Sequence, residues 1–93
     1  LSFQLRQNYP NPFNPTTRIE FSLSGGTERV TLDIYNVLGQ QVRRLVDRDM
    51  SAGEYSVNWD ATTDNGHKVA TGVYLYRLQV GSRAETKKML LLK

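Results

Sequence analysis

No cysteine occurs in the 93 residues. That absence excludes disulfides, thiolate zinc sites and cysteine nucleophiles together. It leaves the compartment open: small secreted domains often rely on disulfides, yet a chain that crosses several compartments can avoid them. Histidine is almost as scarce, with His67 alone. A hydrolytic triad needs a base held between a carboxylate and a nucleophile. No Gly-x-Ser-x-Gly elbow is present, and His67 follows a turn glycine, so it reads as an exposed loop histidine. No apolar run approaches the roughly 20 residues of a membrane span, so membrane insertion is not expected. Leu1 stands where a complete chain would have methionine. The sequence is read as a fragment, and its lack of a signal peptide carries no information. Charge of one sign is also scarce. The net charge of +3 is spread along the chain, with small pairs at Arg43, Arg44 and at Lys87, Lys88. Nucleic-acid binders cluster their cations on one face of a recognisable binding fold, so a nucleic-acid partner is not expected.

What is present fits one small soluble domain, with 39% hydrophobic and 23% charged residues. A chain of this size buries somewhat more than ~60% of the surface its unfolded form exposes. Carving a deep catalytic cavity from so thin a core would be costly, which argues against an enzyme.

All three prolines fall in the first stretch, at Pro10, Pro12 and Pro15. Each removes a backbone donor and biases its predecessor to extended geometry. Residues 1–17 are therefore expected as an extended, proline-rich lead-in, and residues 18–93 as the folded module. Strand signals follow closely. Ile19, Phe21 and Leu23 alternate with polar residues, as do Val30, Leu32 and Ile34. Val42, Leu45 and Val46 break the period of two, which predicts a bulge or twist in residues 40–47. Tyr55, Val57 and Trp59 share a face, and so do Tyr74, Tyr76, Leu78 and Val80. Residues 68–71 are expected as a short edge strand and residues 83–92 as a closing one. Gly25, Gly39, Gly53, Gly66 and Gly81 punctuate the series. About seven short strands with turn signals between them predict an all-β, immunoglobulin-like antiparallel β-sandwich.

Few residues offer chemistry, and no cofactor is expected. Asp60, Thr62 and Asp64 have the spacing of a weak calcium candidate, but the twelfth position of such a loop falls on Thr71 instead of a bidentate Glu. A hydrogen-bonded turn is the better reading. Tyr55, Trp59, Tyr74 and Tyr76 could stack on sugars if exposed. Their period-two placement among aliphatic residues reads as core. The terminal segment Lys87-Lys-Met-Leu-Leu-Leu-Lys93 is an apolar strand flanked by lysines. It would pair at a sheet edge, where lysine discourages aggregation; another protein could also read it by strand addition. A free edge would equally allow an edge-strand dimer.

Several segments carry a family resemblance. Asn8-Tyr-Pro-Asn-Pro-Phe-Asn-Pro-Thr-Thr-Arg-Ile-Glu-Phe21 resembles the opening of the C-terminal sorting domains of type IX secretion substrates. Leu32-Asp-Ile-Tyr-Asn-Val-Leu-Gly-Gln-Gln-Val42, Ala52-Gly-Glu-Tyr-Ser-Val-Asn-Trp-Asp60 and the Lys87–Lys93 tail are similar to the same family. Asp64-Asn-Gly-His-Lys-Val-Ala-Thr-Gly-Val-Tyr-Leu-Tyr-Arg-Leu78 is similar to the related immunoglobulin-like domain of flagellar hook-capping proteins. The resemblance implies a non-catalytic module at the C-terminal end of an exported cargo protein. Its partners would be the N-terminal cargo domain and the outer-membrane secretion machinery. Its destination, by way of the periplasm, would be the cell surface or the medium. By the same analogy the parts read by the machinery are Pro10, Asn11 and Pro12; Gly72 and Tyr74; and the tail of Lys87, Lys88, Met89, Leu90, Leu91, Leu92 and Lys93. Two other roles compete: a carbohydrate-binding accessory module of a secreted glycoside hydrolase, and a structural spacer or assembly domain.

Overall fold

A computed structural model describes residues 2–92. Seven strands form two antiparallel sheets: β1 (Ser2–Leu5), β2 (Thr17–Ser24), β3 (Glu28–Tyr35), β4 (Gln41–Met50), β5 (Gly53–Trp59), β6 (Gly72–Val80) and β7 (Arg83–Leu91). One sheet has the order β1-β2-β5 and the other β4-β3-β6-β7. No described residue is helical. The molecule is an immunoglobulin-like β-sandwich.

The alternation read from the sequence decides which faces meet. Ile19, Phe21 and Leu23 point inward from β2, and Val30, Leu32 and Ile34 face them from β3. Tyr74, Tyr76, Leu78 and Val80 are buried from β6. Trp59 is fully buried, with Tyr55 and Val57 packed against the core beside it. Each large apolar side chain withdrawn this way contributes roughly 1.5–3 kcal/mol.

The irregular strand is β4. Its register against β3 shifts between Leu32 and Asp33 and again between Ile34 and Tyr35, passing over Leu45 and Val42. The first shift has a clear electrostatic result. It sets Arg44, not Leu45, opposite Asp33. Asp33 is buried, and Arg44 covers it with Nε at 2.8 Å from Oδ1 and Nη2 at 3.0 Å from Oδ2. A buried carboxylate without such a partner would be costly.

Two expectations about the strands change. Residues 1–17 are not a lead-in outside the sandwich. Ser2–Leu5 pairs with β2 over Ser2–Ser24 to Leu5–Phe21, and Leu5 and Phe13 are buried. Residues 68–71 form no strand. Only an isolated bridge joins Lys68 to Thr62, and Val69 N–H donates to Ala61 O at 2.9 Å. The reason lies at Ala61, whose positive φ of 64° turns the chain back on itself directly after β5.

Candidate functional site

The strand registers place four segments at one end of the sandwich. These are the proline loop 10–16, the turn 36–40, the loop 60–71 and the end of the tail at 91–92. The turns at 25–27, 51–52 and 81–82 lie at the other end, and so does Ser2, opposite Ser24. Ser2 therefore lies at one pole, and Leu91 and Leu92 at the other. The long dimension between them is 39 Å.

At the tail pole the structure joins two of the segments the sequence singled out. The proline loop runs along the outer edge of β7. Phe13 N–H donates to Leu90 O at 3.0 Å, and Leu92 N–H donates to Phe13 O at 3.0 Å. This is a single parallel bridge, centred on Leu91. Leu90 N–H donates to Asn11 Oδ1 at 3.0 Å, and Gln7 Nε2 donates to Lys88 O at 2.7 Å. Backbone and side chains of the loop together stand in for a neighbouring strand. Phe13 secures them: its ring lies 5.8 Å from that of Trp59, which meets Tyr74 edge-on at 5.4 Å.

The loop itself is braced by Asn8 and Thr17, both buried. Asn8 Nδ2 donates to Thr17 Oγ1 at 2.9 Å and to Pro10 O at 3.2 Å, and Thr17 Oγ1 donates to Pro10 O at 2.8 Å. Tyr76 closes the network from the other sheet. Its hydroxyl accepts from Asn8 N–H at 2.9 Å and donates to Arg6 O at 2.8 Å. Burial pushes that hydroxyl up to about 12. Nothing in the sequence marks Asn8, Thr17 or Phe13 as functional. The only available signal is their place among the prolines, with residue types suited to hydrogen-bonding or filling a turn.

The remaining candidates divide by exposure. Pro10, Asn11, Pro12, Lys88 and Leu92 are exposed, and Gly72, Lys87 and Leu90 are half-buried. Tyr74, Met89 and Leu91 belong to the core. Tyr74 donates its hydroxyl to Ala70 O at 2.6 Å, so neither its ring nor its polar end is offered to a partner. Lys93 lies outside the described residues. A groove of about 330 Å³ opens beside the tail, lined by Asn14, Pro15, Asp60, Ala61, Lys68 and Leu91 among others.

The acidic loop is organised by arginine. Arg43 reaches Asp60 at 3.7 Å and Asp64 at 3.6 Å and donates to Thr62 Oγ1 at 2.7 Å. Thr62 in turn donates to Asp60, and Asp64 accepts from Arg44 N–H at 3.0 Å. The two carboxylates of the calcium candidate are thus tied to a guanidinium and to the backbone. Among the described residues, no group of three or more carboxylates and histidines gathers as metal ligands would. Of the proposed sugar platform, Trp59, Tyr74 and Tyr76 are in the core, and Tyr55 stacks on Phe21 at 5.5 Å.

Comparison with solved structures finds the same architecture in two proteins of Porphyromonas gingivalis. The crystal structure of dimeric latent PorU matches with a TM-score of 0.79 and 25% identity, over 97% of this chain and 9% of that one. PorZ, described as an essential bacterial surface component of the type IX secretion system, matches in fold with a TM-score of 0.63. Its identity is 18%, over 94% of this chain and 11% of that one. The chain thus spans about a tenth of the length of each, or less. No curated protein matches it. A family model described as the FlgD Ig-like domain matches residues 8–84, most of the sandwich from the proline loop to the start of β7, and the chain belongs to that family.

Proposed function

We propose that this chain is a non-catalytic sorting module. It would direct an exported cargo protein through the type IX secretion machinery to the cell surface or the medium. The observation that carries this reading is the polarity of the sandwich. Chain joined to Ser2 would enter at one pole, while the proline loop and the exposed tail residues Lys88 and Leu92 are presented at the other. A cargo domain on the first pole leaves the second free to be read. The likeness to PorZ, a surface component of that system, and to PorU supports the same assignment. The partners are then the cargo domain and the outer-membrane machinery, and the route is through the periplasm.

A second reading, a structural or assembly domain, draws on the FlgD Ig-like family itself. Export separates the two. Residues 1–93 are fused behind a signal peptide and a fluorescent reporter in a host with a type IX system. Removing the whole tail would be a poor comparison, because Met89 and Leu91 are core residues and their loss unfolds the sandwich. The comparison is Lys88→Glu with Leu92→Ser, which changes exposed groups only. Reporter outside the cell with the wild-type module, and retained in the periplasm with the folded variant, supports a sorting role read at the tail. Retention of both sinks the sorting role in favour of the assembly domain. Export of both removes the tail from the address.

A further inference from the structure

Every exposed side chain on β1, β2 and β5 is polar. One ring interrupts the outer face of this sheet. Tyr9, in the segment leading out of β1, is 72% exposed, and no other aromatic ring among the described residues is left exposed. Its place is set by the backbone. Tyr9 N–H donates to Arg18 O at 2.9 Å, and Arg18 N–H donates to Tyr9 O at 2.8 Å. Arg18 is in turn in register with Asn58 of β5. The flanking Asn8, Thr17 and Trp59 are buried, so alternation turns Tyr9, Arg18 and Asn58 outward as one row. A row fixed in advance loses little entropy on binding.

The row walls an open cleft of about 280 Å³, completed by Pro10, Thr16 and Thr17. Small-molecule sites run from roughly 300 to 1,000 Å³, so the cleft suits a single sugar ring better than a folded partner. Its chemistry has three parts. The Tyr9 ring offers an apolar face with a polar tip. The Asn58 carboxamide and the Thr16 and Tyr9 hydroxyls make no hydrogen bond among the described residues, so they keep donors and acceptors of both kinds. The third part is a balanced charge: Arg18 Nε lies 3.6 Å from Glu20 Oε2.

These parts select the ligand. An anion would have to compete with Glu20 for Arg18. A peptide read by its apolar side chains would find only Tyr9 and Pro10 to meet them. A neutral pyranose fits all three parts, because its C–H face can lie on an aromatic ring while its hydroxyls both donate and accept. We infer that the Tyr9–Arg18–Asn58 row is a binding site for a neutral saccharide. The Tyr9 ring stacks on one sugar, and Asn58 and Thr16 hydrogen-bond its hydroxyls. The site is separate from the aromatics of the core and goes beyond the sorting role, since a module can be sorted and still hold a glycan.

The test titrates the purified, nitrogen-15-labelled module with cellohexaose, xylohexaose, mannohexaose and laminarihexaose, and separately with hexagalacturonate and decaproline. At least one neutral hexasaccharide should give saturable amide shifts at Tyr9, Arg18 and Asn58. Tyr9→Ala should weaken that binding about tenfold or more, as loss of an aromatic anchor does, and Tyr9→Trp should retain it. Asn58→Ala should weaken it by about fivefold, through one lost hydrogen bond. Both side chains are exposed, so the thermal midpoint of each variant stays as in the wild type. Leu38→Ser, an exposed apolar residue on the turn 36–40, should bind as the wild type does. An equal loss in that variant would mean non-specific contact and overturn the site, as would unchanged binding by Tyr9→Ala. No saturable shift with any of the four neutral sugars also overturns it. Tighter binding of hexagalacturonate would make the row an anion site, and tighter binding of decaproline a peptide site; either result overturns the neutral saccharide.

Discussion

Gly72 shows how a residue that looks like part of an address can be an architectural necessity. It opens β6 with φ at +150°, a conformation open to glycine and strained for any other residue. No heavy atom beyond its two chain neighbours lies within 4 Å of where its Cβ would be, so the demand comes from the backbone and not from space. Gly72→Ala should therefore destabilise the module by roughly 1–3 kcal/mol. Gly26→Ala, where the site is equally open and φ lies outside the strained range, should cost close to nothing. Urea denaturation of the two variants checks this. Equal midpoints would mean that the strain at Gly72 is relieved by a local shift, and would return the residue to the list of recognition candidates. The sequence reading treats Gly72 only as part of the recognised segment. It could not show that Tyr74, two residues on, is turned into the core beside Trp59. The two residues share a motif but not an accessible surface.

Among the elements, the least legible was the proline loop. Its neighbours in space are far away in sequence: Asn11 meets Leu90, and Phe13 brackets Leu91. Alternation reports which face of a strand is buried, but says nothing of what lies along its edge. For the same reason β1 was missed. Phe3 and Leu5 do alternate with Ser2 and Gln4, but four residues ahead of a proline cluster are too short a signal. The number of strands came out right because one missed strand replaced one that is a loop. The loop's role is to close the upper edge of β7, where an unpaired strand would invite pairing with another chain. Strand addition at the tail would first have to displace it. Phe13→Ala should cost about 3–5 kcal/mol, as truncation of a buried aromatic does. It should also release the Leu92 N–H to fast exchange before global unfolding. Asn11→Ala removes one hydrogen bond from Leu90 N–H and should cost only about 1 kcal/mol. Amide exchange at Leu90 and Leu92 reads both. Leu92 protection unchanged in the Phe13 variant would show that the tail needs no strap.

Across the whole molecule the periodic sequence pattern was enough to define the sandwich, since buried faces recur every second residue in β2, β3 and β6. The ties between the two sheets were not, because they depend on single polar atoms. Tyr76 is the main one. It reaches from β6 to the backbone of Arg6 and Asn8, coupling the four-stranded sheet to the segment that leads from β1 into the proline loop. Its titration gives a test of that coupling. In the unfolded chain a tyrosine ionises near pH ~10, whereas burial holds the folded Tyr76 hydroxyl at about 12. The folded state thus keeps a proton that the unfolded state has already released. Its contribution is complete below the unfolded value and is lost as pH rises from there through the folded one. Tyr76→Phe loses both hydrogen bonds and leaves Asn8 N–H and Arg6 O unpaired, so at neutral pH it should be less stable by about 1–3 kcal/mol. That deficit should shrink between about pH 10 and 12, because only the wild type has this proton to lose. Urea midpoints of the two proteins, measured across that window alongside tyrosinate absorbance, decide it. A constant difference would mean that Tyr76 ionises in the folded protein as freely as in the unfolded chain; no difference at neutral pH would mean that its hydroxyl does not tie the sheets together.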